Sequence, residues 1–210
     1  MSASIEQRLR DALASTHDRA PRPLARLDLP LDADRWLTPA FMKALRPAAV
    51  LAAVFRRDDR YSVMLTRRAE TLSSHRGQIS FPGGRRDDTD VSAVANALRE
   101  AQEEVGLDPG RVEVLGYLDD YPTISRYLVT PVVGLIEGEF EPIADPSEVA
   151  EVFELPLEIA LDPSAYERKK LSRDGLVVPY YELNWNGYRV WGATAGMLFD
   201  LCERVDRHGR

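Results

Sequence analysis

Apolar residues recur along this chain in two periods, one near 3.6 and one near 2, and the alternation between them divides it into helices and strands. Ile5, Leu9 and Leu13 stand at helical spacing among polar neighbours, which predicts a docked or peripheral helix over 3–14. HDRAPRPLARLDLPLDAD, residues 17–34, is rich in Pro and Arg and reads as an extended connection draped over the domain. Thr38-Pro39 has the form of an N-cap followed by Pro at the first helical position, so a short helix should run to about Leu45 and stop before Pro47. The unbroken apolar run from Ala48 to Phe55 suits an inner strand, Arg57-Asp58-Asp59-Arg60 a polar turn, and YSVMLTRR the returning partner strand. Further on, RVEVLGYL and YLVTPVVGLIE are β-rich, with DDYPTISR between them and the irregular GEFEPIADPSEVA after them. Pro156 to Leu161 is a short helical candidate. Asn186-Gly187 marks a hairpin joining Leu176 to Asn184 with Tyr188 to Trp191, and an amphipathic helix runs from Thr194 to about Val205.

One stretch departs from this regularity. In FPGGRRDDTDVSAVANALREAQEEVGL, from Phe81 to Leu107, a glycine-rich turn feeds a helix whose stripe Val94, Leu98, Ala101, Val105 is apolar. At about 100° per residue, Glu100, Glu103 and Glu104 share one other face within roughly 100° of arc. Carboxylates near a helix C-terminus oppose the macrodipole, and Glu100 with Glu104 is a like-charge i,i+4 pair. An exposed acidic face would be the ordinary reading. Here Gly83-Gly84 precedes the helix and Gly106 fits its C-cap, and clustered carboxylates beside a glycine-turn carbonyl are the oxygen donors that magnesium or manganese prefers.

Several strands around two principal helices predict an α+β chain, an α/β/α sandwich with a mixed β-sheet. Residues 1–35 read as a helix with an extended arm, and 36–210 as the domain proper. A doubly wound nucleotide-binding fold is disfavoured, because no G-x-G-x-x-G or Walker lysine pattern occurs. Composition narrows the function classes. The chain has 210 residues, 44% hydrophobic and 29% charged, with a net charge of -7, which argues against general nucleic-acid binding. Its one cysteine, Cys202, lies in an apolar context that suits a core residue. With no apolar leader and no long apolar run, the expectation is a cytoplasmic protein with no membrane partner.

Gly84, Asp90 and Arg99-Glu100-Ala101-Gln102-Glu103-Glu104-Val105-Gly106-Leu107 resemble the signature of the Nudix hydrolases, whose pattern is Gly, five residues, Glu, seven residues, Arg-Glu, an apolar residue, any residue, Glu-Glu, any residue, Gly, apolar. The second half matches throughout. In the first half Asp90 replaces Glu and eight residues separate it from Arg99. The preceding segment LTRRAETLSSHRGQISFPGG and the later YRVWGATAGML resemble the coenzyme A pyrophosphatase branch, with Ser73 where that branch often carries Arg.

The resemblance implies a Nudix-like sandwich and Mg2+- or Mn2+-dependent hydrolysis of coenzyme A, or a related small-molecule nucleotide, to 3',5'-ADP and 4'-phosphopantetheine. NADH, ADP-sugars and modified nucleoside triphosphates are alternative substrates, and a non-catalytic nucleotide-binding module is the alternative of another class. Glu100 and Glu104 become the principal metal ligands with the Gly83 carbonyl, while Glu103 shares a metal or acts as general base. Arg99 either acts in catalysis or braces the loop against Asp90 or Asp87. Of the arginines at 67, 68, 76, 85 and 86, Arg67 is the first choice for a substrate phosphate and Arg85 a further candidate. His75 and Gln78 are candidate substrate contacts, weighed against loop packing. Glu148, Glu151 and the Asp119-Asp120 pair compete for a further carboxylate role, and Tyr127, Tyr180 and Trp191 read as core or rim. A homodimer is compatible with the sequence.

Overall fold

The computed structural model describes residues 4–17, 22–25, 38–71, 76–173 and 176–209. In chain order the elements are α1 (Ile5–Leu13), α2 (Pro39–Lys43), β1 (Arg46–Arg57), β2 (Arg60–Arg68), β3 (Ile79–Ser80), β4 (Gly83–Arg85), α3 (Ala93–Val105), β5 (Val112–Tyr117), β6 (Tyr121–Pro122), β7 (Tyr127–Ile136), β8 (Val149–Pro156), α4 (Leu157–Ala160), β9 (Tyr166–Arg173), β10 (Leu176–Trp185), β11 (Tyr188–Trp191) and α5 (Ala193–Gly209).

The apolar run becomes the central strand. β1 pairs antiparallel with β2 across the turn, where Asp58 and Asp59 both take positive φ, 49° and 58°, and parallel with β7. β3 and β8 extend the sheet from β2, β5 and β6 extend it from β7, and β4 pairs with the start of β1. Side chains alternate along β1 with period 2. Ala49, Leu51, Ala53 and Phe55 join Ala97, Ala101 and Val105 of α3 in one cluster, whereas Ala48, Ala52 and Val54 join Leu9 and Leu13 of α1 and Leu198 and Leu201 of α5 in another. The architecture is therefore an α+β sandwich, helices over both faces of a mixed sheet. A second sheet, in the order β11, β10, β9, packs with α5.

Three details differ from expectation. α2 stops at Lys43, and Pro47 lies inside β1 opposite Leu128. It occupies the first residues of the strand, where the loss of a donor is tolerated. β9, YERKKLSR, is too charged to show apolar alternation, yet it forms the edge of the second sheet, where one face meets water. Of the expected connection at 17–34, His17 and residues 22–25 are described, and the backbone of 22–25 meets Asp120 through Ala25 N–H to the Asp120 carbonyl and Asp120 N–H to the Pro23 carbonyl, each 2.9 Å. No helix among the described residues is long and apolar enough to cross a membrane.

Candidate active site

The glycine turn is wedged between β1 and α3. Phe81 is fully buried and the Pro82 carbonyl accepts the Leu51 N–H at 2.8 Å, which brings Gly83 and Gly84 down between strand and helix. A Cβ at Gly83 would stand 2.6 Å from the Val50 Cα, and one at Gly84 would stand 2.5 Å from a Glu100 carboxylate oxygen. At Gly83, whose φ is 152° and whose nearest neighbours are backbone atoms, only glycine permits so close an approach. Ser92 caps α3 by accepting the Ala95 N–H at 3.1 Å, and Gly106, in the left-handed conformation, ends it.

Arg99 organises the turn that precedes the helix. Its guanidinium donates to Asp90 at 2.9 and 3.1 Å, pairs with Glu100 and Glu103 at 2.9 Å each, and reaches the Arg85 carbonyl at 3.3 Å. Asp90 is buried and also accepts the Asp87 N–H at 2.8 Å. The guanidinium, more than that bond, holds the Asp90 carboxyl below its usual range. The eight-residue spacing is thus closed by an Asp–Arg brace, and Arg99 bridges the brace to two carboxylates of the acidic face.

The three glutamates differ in environment. The Glu103 side chain is 58% exposed, that of Glu100 14% and that of Glu104 3%. Burial pushes the Glu100 carboxyl up against the pull of Arg99. At Glu104 burial is stronger and pushes the carboxyl to about 8, opposed by Arg68 at 3.7 Å and the Gly83 N–H and reinforced by Glu100 and Glu148. The Glu104 Oε2 atom is buried without a hydrogen-bond partner. Glu148 reaches this group because its loop is stapled to the end of α3. The Ile143 and Asp145 N–H groups donate to the Val105 and Glu104 carbonyls, 2.9 Å each, and the Ala69 N–H donates to the Glu148 carbonyl at 2.8 Å. The first two bonds fill acceptors a helix C-terminus leaves open, and neither apolar pattern nor charge along the chain signals any of the three.

Of the expected site residues, Arg99 meets Glu100 and Glu103, and the Gly83 N–H meets Glu104. Arg67 does not join them. It pairs with Glu151 at 3.3 Å and lies over the Tyr188 ring, whose hydroxyl donates to Glu151 at 2.5 Å. The adjacent Arg68 faces the carboxylates instead, past a β-bulge between Arg67 and Arg68. The Arg85 side chain is exposed, and the Gln78 carbonyl accepts the Arg68 N–H at 2.9 Å. His75 lies outside the described residues, as does Ser73. Asp119 pairs with Arg204 at 2.5 Å and Asp120 with Arg22 at 2.7 Å, both away from the acidic helix. Tyr127 lies under Arg46, and Tyr180 meets Trp191 edge-on in the second sheet. A cavity of about 310 Å3 opens between α1, α5 and β10, and none of the acidic-helix residues line it.

Could these residues hold a divalent cation? The donors are all oxygen, and the buried, unpartnered Glu104 oxygen is the kind of group a hard cation satisfies. With Glu100 and Glu103 drawn to Arg99, no three acidic, His or Cys side chains among the described residues converge on one point as placed. The donor chemistry fits, and binding would require these side chains to turn from Arg99.

A family model described as the NUDIX domain matches residues 45–174. A protein of Cronobacter sakazakii named "Uncharacterized Nudix hydrolase NudL" is 44% identical over 160 residues, 76% of this chain and 83% of that protein. The protein of the same name from Photorhabdus laumondii is 41% identical over 160 residues, 76% of this chain and 85% of that protein. Among solved structures, the MutT protein of Methanosarcina mazei is 19% identical with a TM-score of 0.48, covering 79% of this chain and 97% of that one.

Proposed function

This chain belongs to the Nudix family, and on that premise we propose that it hydrolyses the pyrophosphate of coenzyme A or its derivatives, with Mg2+ or Mn2+, to 3',5'-ADP and 4'-phosphopantetheine. The observation that carries the catalytic part is Glu104, a buried carboxylate with an unpartnered oxygen set between a glycine turn and Arg68. The coenzyme A part rests on the likeness of LTRRAETLSSHRGQISFPGG and YRVWGATAGML to that branch.

Hydrolysis forms a bond from the water oxygen to one phosphorus and breaks the bond from that phosphorus to the bridging oxygen, which leaves as a phosphate oxygen. The proton lost by the water needs an acceptor. Glu100 and Glu104, with the Gly83 carbonyl, would hold a cation that neutralises phosphate charge. Glu103, the most exposed of the three, would share that cation or take the proton. Arg68 and Arg85 offer guanidinium groups to phosphate oxygens, and His75 and Gln78 remain substrate contacts on sequence grounds. Arg67 would have to leave Glu151 to serve as one.

Incubation with coenzyme A and manganese or magnesium, with products identified by mass, should yield 3',5'-ADP and 4'-phosphopantetheine. No release by folded protein overturns the coenzyme A assignment. A parallel panel of NADH, ADP-ribose and modified nucleoside triphosphates, compared by kcat/KM, then identifies the substrate, and nucleotide binding without turnover of any of them indicates a binding module.

A further inference from the structure

The WGATA segment touches none of the carboxylates, yet one of its side chains reaches the strand that leads into the glycine turn. Thr194 is buried, and its hydroxyl donates to the Ile79 carbonyl at 3.0 Å, across 115 residues of sequence. β3 is only two residues long and pairs with β2 at Ser80 and Ile79, so its own ladder holds it weakly. Four residues beyond Ile79 stands Gly83.

We propose that Thr194 is a positioning residue for the glycine turn, fixing β3 so that the Gly83 backbone meets Glu104. The support behind Thr194 is firm. Gly192, at φ 65°, turns the chain from β11 into α5 and donates its N–H to the Tyr181 carbonyl at 3.1 Å. Ala195 is fully buried, and a Cβ at Gly196 would stand 2.7 Å from the Tyr121 ring. The start of α5 is thus held against two other elements. From that base the turn is fixed at three successive points: Thr194 on Ile79, Phe81 in the core, and the Pro82 carbonyl on Leu51. Loss of the first frees the end of the segment that carries Gly83. The small residues of WGATA acquire a reason as well, since they let the helix start close enough for a short hydroxyl to span the gap.

The test compares Thr194→Val, which keeps the shape and removes the donor, with Thr194→Ser, which keeps the donor. Hydrogen exchange followed by mass spectrometry should show the segment over residues 79–86 exchanging about tenfold faster in the valine variant, with α5 and β10 unchanged and the serine variant like wild type. Kinetics rest on the reading above and use whichever of coenzyme A, NADH or ADP-ribose the wild type hydrolyses. There the valine variant should lose roughly ten- to a hundredfold in kcat, because small misplacements of catalytic groups are costly, with KM little changed and serine restoring the rate. Unchanged exchange over 79–86, equal acceleration throughout the molecule, or failure of serine to rescue overturns the proposal. If the wild type cleaves none of the three substrates, the coenzyme A reading fails and the exchange measurement still decides the role of Thr194.

Discussion

Glu104 concentrates the conflict between folding and chemistry in one side chain. A buried carboxylate with an unpartnered oxygen is costly. Glu104→Gln keeps its shape without the charge, so the metal-free variant should melt at the same temperature as wild type or higher, while kcat/KM falls by at least about a hundredfold. Manganese should raise the Tm of the wild type, and that rise should shrink for the variant in the same scans. Arg99 acts in the opposite sense. Arg99→Ala leaves the buried Asp90 without its guanidinium and should cost about 2 to 3 kcal/mol in urea unfolding. Arg99→Lys should cost less and still lower kcat, since an ammonium cannot span Asp90, Glu100 and Glu103 together. Much of this was legible from spacing. The carboxylate face and Gly106 cap follow from the helical period, but the depth of Glu104 does not, because the apolar stripe is rotated. Ala97, Ala101 and Val105 are buried, whereas Val94 and Leu98 are half-buried. The exchange of roles between Arg67 and Arg68 was partly legible, since Met64 shares the α3 cluster and alternation puts Arg68 on the same side; the bulge between them has no sequence signal.

Among the elements, the second sheet was half visible. Its Asn186-Gly187 turn, with φ 47° and 83°, was readable, but β9 was hidden by its charge. That charge has a use at Glu182, which is buried in β10 and bonded to Arg189 at 2.6 and 2.8 Å, to Lys169 at 2.5 Å and to Asn184 at 3.0 Å. The Arg189 guanidinium leads in holding its carboxyl down to about 2. A folded value below the ordinary 4.5 means the stabilisation is present above about pH 4.5 and is lost as pH falls toward 2. Thermal melts between pH 7 and 2.5 should therefore show a decline over the acid limb that Glu182→Gln reduces. At pH 7 the same variant should be less stable by about 1 kcal/mol, a figure held small by the exposure of Lys169 and Arg189.

At the scale of the whole molecule, the order of strands and helices was enough to give the sandwich and the hairpin partners β1–β2 and β10–β11, while the partners distant in sequence were not legible, because pairing between distant segments leaves no local pattern. α1 illustrates both. Its Ile5, Leu9, Leu13 spacing was plain, and the structure sets Leu9 and Leu13 in one cluster with α5. Leu9→Ala should therefore destabilise the protein by about 2 to 4 kcal/mol in urea, with KM unchanged, because this helix lies across the sheet from the carboxylates.

The parallel pairing of β1 with β7 has a consequence for how the protein comes to be active. Those strands close a loop of about 80 residues, at an entropic cost of about 4 kcal/mol, and the glycine turn and the whole of α3 lie inside it. During synthesis the acidic helix leaves the ribosome before β7, the strand that completes the layer beneath it. A growing chain therefore carries the carboxylates as a solvated, mutually repelling stretch, and the layer that seats them is completed only by long-range pairing in the main sheet, β1 with β7 and, over still more of the chain, β2 with β8, late in folding.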